Sequence, residues 1–300
     1  MKKLKILLIR IKFSRALIFK LMDWRRKRKK KKQAPQKQIL HNLSEILVND
    51  PIIQINKFEG VFEVDAKSDI FSRIALEREY ESELVDICLK YIDLDRDIVD
   101  VGGNIGLFTV LFAKNVGETR RVVSVEPTEG ALKHLYKNLD LNKVSNKVEV
   151  FEGAISDKKG TGEIVTIKGK EEYSSLGEIK HPSAENETYT TEKINLITLD
   201  ELTEEKKLRP GFIKVDVEGF EHLVFRGSSR TLENDRPIIV SELSNVLLRK
   251  NGSSSEEVVE LIKSKGYDIY DPIYPSKKLV LKDYGDIICF PKELKVEFVL

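Results

Sequence analysis

The hydrophobic residues of the chain fall into short apolar runs that alternate with amphipathic stretches. Runs rich in Val and Ile predict seven strands, at Ile98–Val101, Val122–Val125, Val148–Phe151, Phe212–Val217, Ile238–Glu242, Tyr267–Tyr270 and Ile287–Phe290. Apolar positions three and four apart predict helices at Leu107–Asn115, Glu129–Leu141, Phe220–Phe225 and Ser254–Lys265. Strands that alternate with helices predict an α/β fold, in which helices cover both faces of a mostly parallel sheet.

Three further segments have patterns of their own. Ile52–Ala66 alternates loosely and predicts a pair of short strands that turn at Gly60, and Glu77–Tyr91 has helical spacing. Thr161–Thr191 interrupts the alternation and predicts an insertion with its own short strands.

These patterns divide the chain into three parts. Residues 1–35 are a basic, amphipathic tail and linker, residues 36–95 are an N-terminal cap of short strands and a helix, and residues 96–300 are the main domain. Charge follows the same division. Residues 1–32 carry fifteen Lys and Arg and one acid, a net charge of +14, and the rest carry 36 Lys and Arg against 48 acids, a net charge of −12. A phosphate backbone binds to extended basic surfaces, whereas the chain beyond the tail is acidic. We therefore expect no nucleic-acid partner.

The tail has apolar residues on one helical face, at Leu4, Leu7, Leu8, Ile11, Ile18 and Met22. Basic residues interrupt every long apolar run, so we expect neither a membrane-spanning helix nor a cleaved signal peptide. Two alternatives remain. The tail lies on an anionic membrane surface, with Trp24 at headgroup depth and Arg25–Lys32 against the lipid, or it is a solvated basic segment.

Cysteine usage indicates the compartment. Cys88 and Cys289 are the only cysteines, and they stand in no metal-binding spacing. This usage predicts a reducing environment without structural disulfides. We therefore expect a cytoplasmic protein, peripheral at the inner face of the membrane if the tail binds there.

The stretch "DVGGNIGLFT" joins the first predicted strand of the sheet to a helix. Asp100 closes the strand, Gly102 and Gly103 make a tight turn, and Gly106 lets the helix pack closely. Ligands of parallel sheets bind at such carboxyl ends of strands. The dinucleotide pattern G-x-G-x-x-G fails, because Asn104 occupies its third position.

Glu126 ends the next strand and supplies a second indication of a nucleotide-like ligand. An acid at this position can accept hydrogen bonds from both hydroxyls of a ribose. A purely structural turn in another α/β protein is the alternative interpretation.

Several blocks follow one another between Tyr80 and Leu243: "YESEL", "DVGGNIGLFT", "VEPTEGALKHLYKNLDLN", "EGAISDKKG", "NLITLDEL", "FIKVDVEGFEHLVFRG" and "RPIIVSEL". In this order they resemble the FkbM family of S-adenosylmethionine-dependent methyltransferases. The resemblance implies a Rossmann-like class I methyltransferase fold, a seven-stranded mostly parallel sheet with helices on both faces and an antiparallel last strand. The stretches "YDIY" and "IICF" can supply the final antiparallel pair.

The resemblance also assigns the cofactor site. It places the methionine part of S-adenosylmethionine on Asp100, Gly102, Gly103, Asn104 and Gly106, the ribose on Glu126, and the adenine near Gly153, Ala154 and Ile155. Gly103 departs from the family, which usually has alanine there, and we expect the turn to be looser for it.

Carboxylates mark the opposite side of the predicted crevice. Asp216 and Glu218 straddle the end of one strand, and Glu242 ends its neighbour. They can serve as a general base for the acceptor, or Asp216 and Glu242 can hold a divalent metal such as magnesium. Lys214 shares a strand face with Asp216 and Glu218, so it is either catalytic or part of a structural ion pair. His222, one turn into the next helix, can assist proton transfer.

The predicted function is therefore methyl transfer from S-adenosylmethionine to a hydroxyl oxygen of a sugar, glycan or glycolipid. Two alternatives remain. One is a nucleotide-sugar or dinucleotide-dependent oxidoreductase on a Rossmann-like fold, and the other is a catalytically silent, membrane-associated scaffold.

Overall fold

The fold is taken from a computed structural model, which describes residues 49–167, 175–176, 189–274 and 279–294. The predicted tail and linker lie outside these residues. No helix within the described ranges combines the length and the apolar character that a bilayer crossing requires.

The described chain alternates strands and helices. Its strands are β1 (Ile52–Ile55), β2 (Gly60–Glu63), β3 (Asp97–Val101), β4 (Val122–Glu126), β5 (Val148–Glu152), β6 (Ala154–Ile155), β7 (Gly160–Ile167), β8 (Ser175–Leu176), β9 (Tyr189–Ile197), β10 (Pro210–Val215), β11 (Ile238–Ser244), β12 (Tyr267–Tyr270) and β13 (Tyr284–Pro291). Its α-helices are α1 (Asp69–Glu77), α2 (Ser82–Tyr91), α3 (Leu107–Asn115), α4 (Glu129–Leu141), α5 (Leu199–Glu205), α6 (Glu221–Arg226), α7 (Asn245–Lys250) and α8 (Ser255–Ser264). A π-helical turn covers Thr231–Asp235.

The central sheet has seven strands in the order β12, β13, β11, β10, β3, β4, β5. Strands β5, β4, β3, β10 and β11 run parallel, and β13 is inserted antiparallel between β11 and β12. This topology is the class I methyltransferase sheet, and it confirms the predicted fold and the final antiparallel pair.

Two hydrophobic cores lie on the two faces of this sheet. Because side chains alternate along a strand, Ile98 and Phe212 pack in one core and Val99 and Ile213 in the other. The first core also contains the apolar side of α3, which is buried on nearly every face. Helix packing on both faces is what a parallel sheet requires.

The segment before the sheet differs from its prediction in two places. Strands β1 and β2 are joined by a 3₁₀ turn at Asn56–Phe58, with Glu59 left-handed at φ 52°, so the turn precedes Gly60. Gly60 instead begins β2, where a Cβ would lie 2.6 Å from the Phe62 ring. The predicted single helix Glu77–Tyr91 is wrong at its start, because α1 ends at Glu77 and α2 begins at Ser82.

The predicted insertion contributes strands to a second sheet, in the order β6, β9, β7, β8. Strands β7 and β9 pair antiparallel over their full length, and part of the segment between them lies outside the described residues. Helix α5 follows β9 and was not predicted. Its start is fixed by a capping box, in which Thr198 and Glu201 exchange side-chain to backbone hydrogen bonds.

Candidate active site

The glycine turn is shaped by its contact with the end of β10. Gly102 has φ 85°, and a Cβ there would overlap the carbonyl oxygen of Asp216. The backbone amides of Gly102 and Gly103 both donate to the carbonyl of Val125, at 3.0 Å. The turn can therefore lie between β4 and β10 only when position 102 is glycine.

Gly103 has a different steric partner. A Cβ at this position would overlap the hydroxyl oxygen of Ser124, which lies 2.9 Å from the hydroxyl of Thr109. The space that an alanine would fill is thus occupied by a buried serine. The hydroxyl of Ser124 takes the place of the missing methyl group, and the looser turn stays a prediction.

Asp100 is fully buried beneath the turn. Its Oδ2 accepts a hydrogen bond of 2.6 Å from Thr109, and its Oδ1 has no partner in the described part of the chain. Burial raises the pKa of Asp100, and the positive charge of Lys214, directly opposite on β10, counteracts this rise. An unsatisfied buried carboxylate oxygen is costly unless a ligand completes it.

The far end of the turn begins α3. Asn104 is left-handed at φ 48°, and its side chain accepts from the amide of Ile105 at 2.7 Å. Gly106, at φ 88°, precedes the helix, and a Cβ there would lie 2.6 Å from Leu135 of α4. The predicted role of Gly106 in close helix packing agrees with this contact.

Glu126 ends β4 and is buried. Its Oε2 accepts from the amide of Asn104 at 2.9 Å, and its Oε1 accepts from the amide and hydroxyl of Thr128 at 2.9 and 2.6 Å. Burial raises the pKa of this carboxyl, and the bonds from Thr128 and Asn104 oppose the rise. Glu126 therefore ties the end of β4 to the glycine turn.

The adenine position assigned from the resemblance is largely occupied by strand pairing. The amide of Gly153 donates to the carbonyl of Glu126 at 3.0 Å, and Ala154 opens β6 beside β9. Ile155 is buried in the second core with Ile197. The Gly153 amide is thus already used within the fold, and the adenine contact at these residues stays a prediction.

The three predicted carboxylates come together. One oxygen of each of Asp216, Glu218 and Glu242 lies within 4.8 Å of the others. Asp216 follows the last residue of β10, because that strand ends two residues before its predicted end. Glu218 is left-handed at φ 52°, so the face alternation that was predicted to align it with Lys214 does not apply.

Lys214 is buried and forms an ion pair of 3.1 Å with Asp216. Its Nζ also lies 4.9 Å from the centroid of the Phe108 ring. Burial acts to lower the pKa of Lys214, but Asp216 and Asp100 outweigh burial and raise it. Lys214 is therefore a fixed positive charge between the glycine turn and the carboxylates.

Glu242 is held from the antiparallel strand. The hydroxyl of Tyr284 donates to its Oε2 at 2.5 Å, and Asp286 stands directly opposite it in the β11–β13 register. Burial, followed by the charges of Asp216 and Glu218, raises the pKa of Glu242 well above its usual range. At this carboxyl a proton is bound more tightly than on an exposed glutamate.

Sequence reasoning missed three residues beside this cluster: Tyr284, Asp286 and Glu221. The predicted last strand began at Ile287, whereas β13 begins three residues earlier, so Tyr284 and Asp286 were not placed beside Glu242. Glu221 is within the quoted block "FIKVDVEGFEHLVFRG", but that block carries no sign that its side chain accepts from the Gly219 amide at 3.1 Å.

His222, which was predicted to assist proton transfer, is buried. Its ring stacks on Phe220 with centroids 6.3 Å apart. Burial, then Arg226, lowers its pKa, which favours the neutral imidazole. The structure does not bring its side chain into the carboxylate cluster.

Together these residues lie at the carboxyl ends of the neighbouring strands β3, β4, β10 and β11. One side is a glycine turn with an unsatisfied aspartate, and the other side is a cluster of three carboxylates with a buried lysine. Such an arrangement can bind a cationic, ribose-containing ligand on one side and accept a proton on the other.

Residues 100–269 match the family model of the methyltransferase FkbM domain, which is more than half of the chain. The chain belongs to the FkbM methyltransferase family. Its match begins at Asp100, the aspartate beneath the turn, and extends to β12. None of the curated proteins matches the sequence significantly. Membership of this family counts against the oxidoreductase alternative.

The solved structures that match the chain include other methyltransferases. The FkbM methyltransferase of Methylobacillus flagellatus is 19% identical, with a TM-score of 0.42, over 65% of this chain and 43% of that one. This chain therefore spans less than half of that FkbM protein. Precorrin-6y C5,15-methyltransferase of Geobacter metallireducens is 14% identical, with a TM-score of 0.39, over 70% and 87% of the two chains. TYW2 of M. jannaschii, in complex with AdoMet, is 13% identical, with a TM-score of 0.39, over 80% and 84%.

Proposed function

We propose that the protein is an S-adenosylmethionine-dependent O-methyltransferase that acts on a hydroxyl of a sugar, glycan or glycolipid. The observation that carries the proposal is the carboxylate cluster of Asp216, Glu218 and Glu242, whose oxygens lie within 4.8 Å of one another. The Gly102 turn packs directly on the carbonyl of Asp216, so the proposed cofactor side and the proposed proton-accepting side are adjacent.

The residues beneath the turn fit the cofactor. The unpartnered Oδ1 of Asp100 is a ready acceptor for the ammonium of the methionine part, and Glu126 carries lone pairs beyond its three hydrogen bonds for the ribose hydroxyls. When bound, S-adenosylmethionine supplies a methyl group on a positively charged sulfur, which is a good leaving group. The protein then has two tasks, which are alignment of the acceptor and removal of its proton.

The carboxylate cluster supports an oxygen acceptor. A hydroxyl must lose a proton as its oxygen attacks, and we assign the acceptance of that proton to Asp216, which Lys214 holds in an ion pair of 3.1 Å. Carboxylates also accept hydrogen bonds from the other hydroxyls of a sugar. For this reason we favour a polyhydroxylated acceptor.

The test is Asp216→Asn, which keeps the size of the side chain and removes its charge. Methyl transfer should fall by roughly 10²- to 10⁴-fold, as for loss of a general base. Binding of S-adenosylmethionine, measured by calorimetry, should be retained, because Asp100 and Glu126 are unchanged. Asp268→Asn, an exposed aspartate of β12, is the matched control. Near-normal turnover in folded Asp216→Asn would remove Asp216 from the mechanism. The role of general base would then be assigned to Glu242 or Glu218.

A divalent metal on Asp216 and Glu242 is the second way in which the cluster can activate a hydroxyl. The ion pair with Lys214 competes with metal binding at Asp216, so we favour the metal-free base. Transfer should then be unaffected by a chelator. Loss of activity with chelator and its recovery with magnesium would establish the metal instead.

The acceptor can be found by transfer of a labelled methyl group. Purified full-length protein with labelled S-adenosylmethionine should modify a component of glycolipid or polysaccharide extracts of the source cell. Labelling of neither extract would contradict the proposed acceptor class.

A further inference from the structure

Strand β2, which pairs with β1, is also bound by two asparagines of α4. The side chain of Asn142 accepts from the amide of Val61 at 3.1 Å and donates to its carbonyl at 2.7 Å. Asn138 makes the same pair of hydrogen bonds with Glu63, at 2.7 and 3.0 Å. Four residues of a helix rise by about 6 Å and two residues of a strand by about 6.6 Å, so the two spacings match. The two side-chain amides therefore pair with β2 as a neighbouring strand would.

Asn138 also contacts the glycine turn. Its Nδ2 donates a second hydrogen bond, of 2.8 Å, to the carbonyl of Ile105. Asn138 is fully buried, and its three hydrogen bonds use the amide oxygen and both N–H groups. The reversed amide would place its oxygen against two carbonyls, so these contacts fix the orientation of the side chain. Asn142 makes no hydrogen bond to the turn within the described residues.

From Ile105 the hydrogen bonds continue to the predicted ribose acid. The amide of Ile105 donates to the side chain of Asn104 at 2.7 Å, and the amide of Asn104 donates to the Glu126 carboxylate at 2.9 Å. Asn138 therefore stands between the N-terminal cap and the residues to which we assign the cofactor. A change in the docking of β2 can alter the shape of the turn through this side chain, without any contact between β2 and the cofactor.

We propose that Asn138 is a positioning residue that couples docking of the β1–β2 hairpin to binding of the cofactor. The proposal rests on the proposed function, in which the glycine turn binds S-adenosylmethionine. A turn that Asn138 holds in one shape loses less conformational freedom when the cofactor binds, and this raises the affinity. Coupling between two sites is reciprocal, so the bound cofactor should also strengthen docking of the hairpin.

The test compares two variants of the full-length protein by calorimetric titration with S-adenosylhomocysteine, the demethylated form of the cofactor. Asn138→Ala removes the bonds to β2 and to the turn, and it should weaken binding by about fivefold or more, as is typical of coupled sites. Asn142→Ala, the matched control, removes the equivalent bonds to β2 and none to the turn, so it should leave the affinity unchanged. Urea unfolding of both variants shows that they are folded and measures their loss of stability. A merely structural role would lower stability without this difference in affinity.

The reciprocal effect is measured without any substitution. Hydrogen exchange of the peptides that cover β2, followed by mass spectrometry, should slow when S-adenosylhomocysteine is added to the unchanged protein. The same addition should slow exchange less in Asn138→Ala. If that variant does not fold, exchange in the unchanged protein decides alone.

Three results would overturn the proposal: an affinity that Asn138→Ala leaves unchanged, an equal loss of affinity in both variants, or exchange of β2 that S-adenosylhomocysteine does not slow. Failure of the proposed function gives a different result. Unchanged protein that binds no S-adenosylhomocysteine contradicts the proposed function itself, whereas protein that binds it without these differences contradicts only the coupling through Asn138.

Discussion

Single atoms decide the shape of the glycine turn. At Gly102 the obstacle to a side chain is a backbone carbonyl, that of Asp216, and no substitution of a neighbouring side chain can remove it. At Gly103 the obstacle is the hydroxyl of Ser124. A side chain is therefore excluded at the two adjacent glycines for different reasons, which the sequence alone does not distinguish.

This difference predicts a steric coupling between positions 103 and 124. Gly103→Ala should lower the free energy of unfolding by about 1 to 3 kcal/mol, the usual cost of overpacking a filled site. In a Ser124→Ala background the same change should cost much less, because the hydroxyl is gone. Urea unfolding of the four proteins gives the interaction energy. Gly102→Ala in the same background serves as the control that should not be rescued. Additive effects of Gly103→Ala and Ser124→Ala would contradict this steric account.

At the level of elements, the loop between β10 and α6 carries Glu218, one of the carboxylates to which we assign a catalytic role. Gly219 has φ 95°, and a Cβ there would lie 2.6 Å from Leu247 of α7. The Gly219 amide donates to buried Glu221, whose other oxygen has no partner among the described residues. Glu221 therefore fixes the loop that carries Glu218.

Glu221 also predicts a pH dependence of stability. Burial raises its pKa from 4.5 to about 7. The folded state therefore binds this proton more tightly than the unfolded chain does. The stability that this proton adds to the folded state is fully present below the pKa of the unfolded chain. It is lost as the pH rises through about 7.

Urea unfolding at pH 5, 6, 7 and 8 tests this. The single carboxyl contributes a slope of at most about 1.4 kcal/mol per pH unit. Glu221→Gln keeps an oxygen for the Gly219 amide and should reduce the loss of stability across this range. Glu83→Gln makes the same change of net charge at an exposed position and should leave the loss of stability across this range unchanged. An unchanged slope in Glu221→Gln would show that the carboxyl does not carry this proton.

Element boundaries limited what the sequence could predict about the site. Periodicity located β10, β11 and the carboxylates near their ends, because an apolar run and the point where it stops can both be read from a short stretch of sequence. The start of β13 could not be found in this way, since Tyr284–Asp286 is polar and exposed at its beginning and pairs only through its distant partner β11. The break between α1 and α2 depends on left-handed Arg78 and Glu81, which no local pattern indicates.

On the scale of the whole molecule, the fold was predictable because alternating strands and helices leave few arrangements other than a parallel sheet. The order of the strands came from the family resemblance rather than from periodicity. The separation of charge is also a whole-chain property, with a net +14 in residues 1–32 and −12 in the rest.

This separation predicts a membrane interaction that depends on the tail alone. Deletion of residues 1–32 should abolish co-sedimentation with anionic vesicles and leave cofactor affinity unchanged. Binding of the full-length chain should weaken as salt is raised, because screening shortens the range of the attraction. Neutral vesicles are the control. Full-length protein that ignores anionic vesicles at low salt would support the solvated-tail alternative.

Calorimetric titration tests most directly whether the glycine turn and Glu126 bind S-adenosylmethionine. The full-length protein should bind S-adenosylmethionine and its demethylated product. Glu126→Ala should weaken both by about 1 to 3 kcal/mol, as expected for hydrogen bonds to a charged group. Preferential binding of NAD, or an affinity for S-adenosylmethionine that Glu126→Ala leaves unchanged, would contradict the account.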